Sequence, residues 1–175
     1  MIITLTGFMG CGKTSTGRAL GALLSWGVID LDAAVESRAA KTVAEIFVQE
    51  GEDGFRALEK EVLVEVLSRM DNNLVLSLGG GTIKDRDNLA LVKRSSKCIY
   101  LRASASSLAE WLSEDMAEKS RPLLNRGDGV SLESHIASML KEREPYYLAA
   151  ADEIVDVDGL DYDETALRIR KMLSI

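Results

Sequence analysis

Gly7-Phe8-Met9-Gly10-Cys11-Gly12-Lys13-Thr14 follows the β-branched run Ile2 to Thr6 and opens Lys13 to Leu24, where helix formers carry apolar residues at helical spacing. Strand, glycine-rich loop and helix in that order, closing on Lys-Thr, is the pattern of a phosphate-binding P-loop. Glycines let backbone N–H groups turn inward around a phosphate, and the helix N-terminus adds a positive dipole. Lys13 then reaches the outer phosphates, and the Thr14 hydroxyl is of the right kind to ligate magnesium. Gly10, Cys11, Gly12, Lys13, Thr14 and Ser15 are therefore the expected nucleotide cradle, with Mg2+ as the expected cofactor.

The alternation begun there continues. Further strands are expected at Val28 to Ile29, Leu74 to Leu78, Cys98 to Leu101 and Glu153 to Val157, separated by segments of 3.6-residue periodicity. This predicts an α/β fold, a parallel sheet covered by helices in three layers. Thr42 with Glu45, and Asp161 with Glu164, have the spacing of capping boxes. In a helix expected from about Gly54 to Met70, Phe55, Leu58, Val62, Val66 and Met70 form the apolar stripe, and Arg56, Glu59 and Lys60 lie off it. Periodicity fails between Glu114 and Val130, where Arg121, Pro122, Asn125, Arg126, Gly127, Asp128 and Gly129 crowd together, so a lid is expected at about 114–130. No repeat or linker divides residues 1–175, and a single domain is expected.

With 28 acidic against 21 basic residues the net charge is −7, which repels nucleic-acid backbones and anionic membrane surfaces. Cys11 and Cys98 form no metal-binding or disulfide pattern. The chain enters a strand-like run at once, without a signal-peptide pattern or a bilayer-length apolar stretch, so a cytoplasmic location is expected.

P-loops also serve GTPase switches. Asp156 to Gly159 reads D-x-x-G and Asn125 to Asp128 reads N-R-G-D, but the first lies downstream of the second, the reverse of the order a switch requires. On the acceptor side, Asp30 and Asp32 follow the second strand, at the sheet edge where ligands bind. One can hold magnesium through water and the other can orient an attacking hydroxyl or take its proton, although Asp32 alone also suits a helix N-cap. Gly79-Gly80-Gly81 allows close backbone approach to a ligand, or simply a flexible turn. Arg56 suits an anion or a solvated pair with Glu59. Arg143 falls in the last turn of a helix that Pro145 is expected to end. Arg121 in the lid can swing onto a transferring phosphate. His135, Trp26 and Trp111 are assigned no chemistry.

In order, Gly7 to Thr14, Asp30-Leu31-Asp32, Phe55-Arg56-Ala57-Leu58-Glu59, Gly79-Gly80-Gly81, Arg121-Pro122-Leu123-Leu124 and Arg143-Glu144-Pro145-Tyr146-Tyr147 resemble the shikimate kinase family across most of the chain. The resemblance implies an NMP-kinase-like P-loop NTPase fold, a five-stranded parallel sheet in the order 2-3-1-4-5 flanked by helices, with a lid and a substrate-binding region at about 32–62. It implies a monomer that transfers the ATP γ-phosphate to the 3-hydroxyl of shikimate, a step of aromatic amino-acid biosynthesis. Asp32, Arg56, Gly79, Gly80, Gly81 and Arg143 would hold shikimate. Lys13, Asp32 and Arg121 would be catalytic, with Lys13 and Arg121 on the phosphoryl group. Thr14, and Asp30 through water, would hold Mg2+. The alternatives are another small-metabolite kinase, such as one resembling gluconate kinase, or a regulatory nucleotide-binding domain. Three departures stand out: Cys11 where relatives often carry Ala, Trp111 and Glu114 where an arginine often lies near adenine, and no proline in Asp156 to Asp161. No residue is assigned to adenine.

Overall fold

The computed structural model of the protein describes residues 1–68, 73–116 and 131–175. At its centre lies β1 (Ile2–Thr6), buried along its whole length, as a strand flanked on both sides and covered on both faces must be. The other strands are β2 (Gly27–Asp30), β3 (Leu74–Ser77), β4 (Lys97–Arg102) and β5 (Glu153–Asp156), all pairing in parallel in the order β2-β3-β1-β4-β5. This is the order that the resemblance implies. Only the edge strands β2 and β5 carry exposed positions through much of their length.

Parallel pairing requires crossovers, and helices supply them. They are α1 (Lys13–Leu24), α2 (Leu31–Ala39), α3 (Val43–Leu67), α4 (Arg86–Ser95), α5 (Ala105–Met116), α6 (Leu132–Ala150) and α7 (Tyr162–Leu173). A 3-10 turn, Thr82–Lys84, precedes α4. α1 packs against α7, α2 against α3, and α5 against α6. The register aligns Asp30 with Ser77 and Ser77 with Leu5. The loops after β1, β2 and β3 therefore leave the sheet at one level, which gathers the P-loop, Asp30 to Asp32 and Gly79 to Gly81 at one end.

Both capping boxes form, Thr42 with Glu45 on α3 and Asp161 with Glu164 on α7. Three expectations need correction. First, the helix expected from Gly54 belongs to α3, which starts at Val43 and breaks at Gly51, where φ is 72°. Its buried face includes Leu63, Leu67 and Glu59 besides Phe55, Val62 and Val66. Glu59 thus sits on the stripe rather than off it, because four residues from Phe55 is one helical turn. Second, Pro145 does not end its helix; α6 runs on to Ala150. An interior proline costs about 3 kcal/mol. Here the continuation buries Tyr147 and Ala150, stacks Tyr147 on Tyr100 with ring centroids 5.2 Å apart, and brings Lys93 Nζ to the Ala149 carbonyl at 2.7 Å. Third, α5 extends through Met116, so residues 114–116 are helical rather than loop. The rest of the expected lid, with Arg121, lies outside the described residues.

Candidate functional site

Gly12 ends the P-loop and caps α1 with φ 86°, a left-handed conformation natural only to glycine. A Cβ there would also come within 2.8 Å of the Tyr162 ring. The glycine is therefore fixed by space as well as by backbone shape. Lys13 folds back so that Nζ donates to the carbonyls of Gly7 and Phe8, both at 2.9 Å. The loop opens onto a cleft of about 420 Å³ lined by Gly10, Lys13, Thr14, Ser15, Asp30 and Asp32, among others.

The first turn of α1 and the end of β2 meet at this cleft. Thr14 Oγ1 donates to Asp30 Oδ2 at 2.5 Å, and Asp30 Oδ1 accepts from the Ala33 backbone. Asp30, not Asp32, is thus the N-cap of α2, which leaves the Asp32 carboxylate to the cleft. A hydroxyl beside a carboxylate is the hard-oxygen pair that suits Mg2+, a cation that keeps several waters and takes its other ligands from phosphate. Among the described residues no group of three or more His, Cys, Asp or Glu side chains could cage a metal.

The three glycines after β3 mark where the other side chains converge. A Cβ on Gly79 would lie 2.9 Å from Glu59 Oε1, 3.0 Å from Asp32 Oδ1 and 3.0 Å from Thr82 Oγ1. On Gly80 it would meet the Met9 N–H at 3.4 Å and Arg143 Nη1 at 3.8 Å. On Gly81 it would lie 2.7 Å from Arg56 Nη2. One turn of chain therefore touches Asp32, Arg56, Arg143 and the P-loop at once. These are the expected residues of the site that lie within the description; Arg121 does not.

Glu59 organises this corner: the pair with Arg56 that the spacing allows is present, but with Glu59 buried rather than solvated. It is wholly buried, accepts from Thr82 Oγ1 at 2.6 Å, and accepts from Arg56 Nη1 at 2.8 Å. A buried carboxylate must have partners, and these two hold the guanidinium with one edge engaged. Spacing could have revealed it, since Phe55, Glu59 and Leu63 lie one turn apart. Arg56 also rests over the Phe55 ring at 5.1 Å, and Arg143 over Phe8 at 5.6 Å. Tyr147, buried, donates its hydroxyl to the Gly80 carbonyl at 2.7 Å and so ties α6 to the glycine turn.

Desolvation first, and neighbouring charge second, set the chemistry of Asp32. Desolvation, with Asp30 and Glu59 adding negative charge, pushes its carboxyl from 3.8 up to about 6, against the pull of Lys13 and Arg56. At neutral pH it is still ionised, and more basic than an ordinary aspartate. Burial pushes the Cys11 thiol up, which keeps it a neutral part of the loop wall. No helix among the described residues is long and apolar enough to cross a membrane.

A family model described as shikimate kinase matches residues 9–174. A shikimate kinase of Dictyoglomus turgidum is 34% identical over 171 residues, covering 98% of this chain and 96% of its own length. The crystal structure of shikimate kinase from Bacteroides thetaiotaomicron superposes with a TM-score of 0.89 at 35% identity, covering 100% of this chain and 99% of the other. That of Acinetobacter baumannii in complex with shikimate gives a TM-score of 0.88 at 34% identity, covering 99% and 93%.

Proposed function

The chain belongs to the shikimate kinase family of ATP-dependent phosphotransferases, and on that premise we propose how its residues move the γ-phosphoryl group of ATP to the 3-hydroxyl of shikimate. The observation that carries this assignment is the turn Gly79 to Gly81, against which Asp32, Arg143 and Arg56 all lie within reach of the P-loop. Arg56 and Arg143 bind the acceptor's carboxylate, since a guanidinium offers a planar fork that matches it, and an acidic protein needs local cations to hold an anion. Gly79, Gly80 and Gly81 let the acceptor approach the backbone. Asp32 orients the hydroxyl and takes its proton, with a basicity tuned toward neutral pH.

Gly10, Cys11, Gly12, Thr14 and Ser15 cradle the phosphates. Lys13 leaves its two loop carbonyls to follow the γ-phosphoryl group, and Arg121 meets it from the lid expected beyond α5. Thr14, and Asp30 through water, would hold Mg2+, which when bound supplies charge neutralisation to the phosphates. Phosphoryl transfer passes through a loose transition state, so positioning and charge do most of the work and the base does less. The same reading takes residues 1–175 as one domain with the acceptor region at about 32–62, a cytoplasmic monomer serving aromatic amino-acid biosynthesis.

The test is ADP release by purified protein with Mg-ATP and shikimate, gluconate, nucleoside monophosphates or no acceptor, with the product identified. Stimulation by shikimate alone is expected. Arg56→Ala should impair acceptor use and spare ATP binding, whereas Lys13→Ala should cripple transfer altogether; intact shikimate use by Arg56→Ala would refute the acceptor site.

A further inference from the structure

Behind the acceptor corner lies a layer of polar side chains to which the transfer itself assigns no work. Glu59, Thr82 and Asn88 are 0%, 1% and 2% exposed, so their hydrogen bonds are made inside the protein. Thr82 Oγ1 donates to Glu59 Oε1 at 2.6 Å, and Asn88 Nδ2 donates to the Thr82 carbonyl at 3.0 Å. The backbone between them is fixed as well. Thr82 opens the 3-10 turn, with its N–H donating to the Gly79 carbonyl at 3.2 Å. Asn88 is seated in the first turn of α4 by its own N–H, which donates to Asp85 Oδ1 at 3.0 Å. A β-branched side chain has few χ1 choices, so the turn sets the direction of the Thr82 hydroxyl.

That hydroxyl governs how Glu59 holds Arg56. The two carboxylate oxygens are divided, Oε1 taking Thr82 and Oε2 taking Arg56 Nη1 at 2.8 Å. Arg56 is thereby held by Glu59 through one nitrogen. Its Nη2 lies against the glycine turn, where a Cβ on Gly81 would come within 2.7 Å, and Glu52 Oε1 is 3.5 Å from it. Without the hydroxyl, Oε1 becomes a buried acceptor with no donor, a costly state. Arginine and carboxylate readily pair through two parallel bonds, so Glu59 would relieve that state by turning its second oxygen onto the guanidinium. The fork that matches the acceptor's carboxylate would then be spent on Glu59.

We propose that Thr82 is a positioning residue of the acceptor site: its hydroxyl, aimed by Asn88 through the 3-10 turn, occupies one oxygen of Glu59 and keeps the second edge of Arg56 for the acceptor's carboxylate. The inference rests on the kinase reading above, in which Arg56 binds that carboxylate, and adds the pair of residues that holds it ready. Both act through Glu59 and not on the reacting atoms.

Steady-state kinetics of the purified protein with Mg-ATP and shikimate tests it, each variant being checked for folding by a thermal melt. Thr82→Val keeps the shape of the side chain and removes the hydroxyl. KM for shikimate should rise about 5- to 10-fold, the size of one lost hydrogen bond. With kcat and KM for ATP unchanged, that is the pattern of lost acceptor binding. Thr82→Ser restores the hydroxyl and should return KM for shikimate to within about 2-fold of wild type. Asn88→Ala leaves the side chains of the acceptor site in place and frees only the turn. It should give the same split at about 3-fold, and it carries the test by itself if Thr82→Val does not fold. Unchanged KM for shikimate in either folded variant, an equal rise in KM for shikimate and ATP, or a Thr82→Ser protein as impaired as Thr82→Val overturns the positioning role and leaves the kinase reading standing. No shikimate phosphorylation by the wild type overturns both.

Discussion

Replacing Glu59 by Gln tests whether this buried carboxylate sets both the acceptor arginine and the acceptor base. The side chain keeps its shape, and Thr82 can rotate its hydroxyl to accept from the new amide, so both hydrogen bonds survive without the charge. A hydrogen bond to a charged group contributes about 1.5–3 kcal/mol and a neutral one about 0.5–1.5. The loss at Arg56 is therefore about 1 kcal/mol, at the lower end because Arg56 is 35% exposed and Glu52 stands 3.5 Å away as a competing partner. A guanidinium released to that extent should raise KM for shikimate about 5-fold and leave KM for ATP alone.

The second effect is electrostatic. Glu59 and Asp32 both lie against Gly79, so their facing oxygens are within about 6 Å, and Glu59 is one cause of the raised Asp32 carboxyl. Removing a negative neighbour favours the ionised form, so the acidic limb of kcat/KM for shikimate, near pH 6 in the wild type, should move down by about half a unit to one unit. Steady-state kinetics between pH 5 and 8, with a thermal melt to establish folding, measures both. A folded variant with unchanged KM and an unmoved limb would refute the role assigned to Glu59. A limb that moved upward would refute the electrostatic account of Asp32.

Other outcomes follow from the same contacts. Asp32→Asn should lower kcat at least about 100-fold and yet stabilise the fold at neutral pH. A carboxyl whose pKa is raised on folding costs stability that is absent below about pH 4 and complete above about pH 6. Exposure of Asp32 to the cleft reduces this gain to about 1 kcal/mol, so urea unfolding of variant and wild type should differ at pH 7.5 and converge near pH 4. Gly79→Ala should cost about 1–3 kcal/mol by overpacking, because its Cβ would press on Glu59, Asp32 and Thr82 together; a melting temperature equal to wild type would count against this packing. Tyr147→Phe leaves the Gly80 carbonyl without its partner at a cost of about 1 kcal/mol. It should raise KM for shikimate a few-fold with KM for ATP unchanged; an equal rise in both would indicate general loosening instead.

Much of this was legible in the chain itself. Ile2 to Thr14 names its own structure because a β-branched run, glycines at the turn and a helix opening on Lys-Thr are local demands, met by residues within a few positions of each other. The caps at Thr42 and Asp161 are local in the same sense. The sheet order came from likeness to a family, since a parallel strand's neighbours are chosen by crossovers and not by its own residues. What needed the folded molecule depends on contacts distant in sequence. Pro145 fails to end α6 because Tyr147, two residues on, is anchored to Tyr100 and Gly80. Asp30 rather than Asp32 caps α2, since the choice rests on backbone angles at a strand end. Trp111 and Tyr162, 51 positions apart, line one cavity only because the fold brings α5 and the first turn of α7 beside the P-loop. Residue types and short spacings determined what chemistry the chain carries; the tertiary structure decided which groups crowd together, and crowding is what sets the basicity of Asp32 and the aim of Arg56.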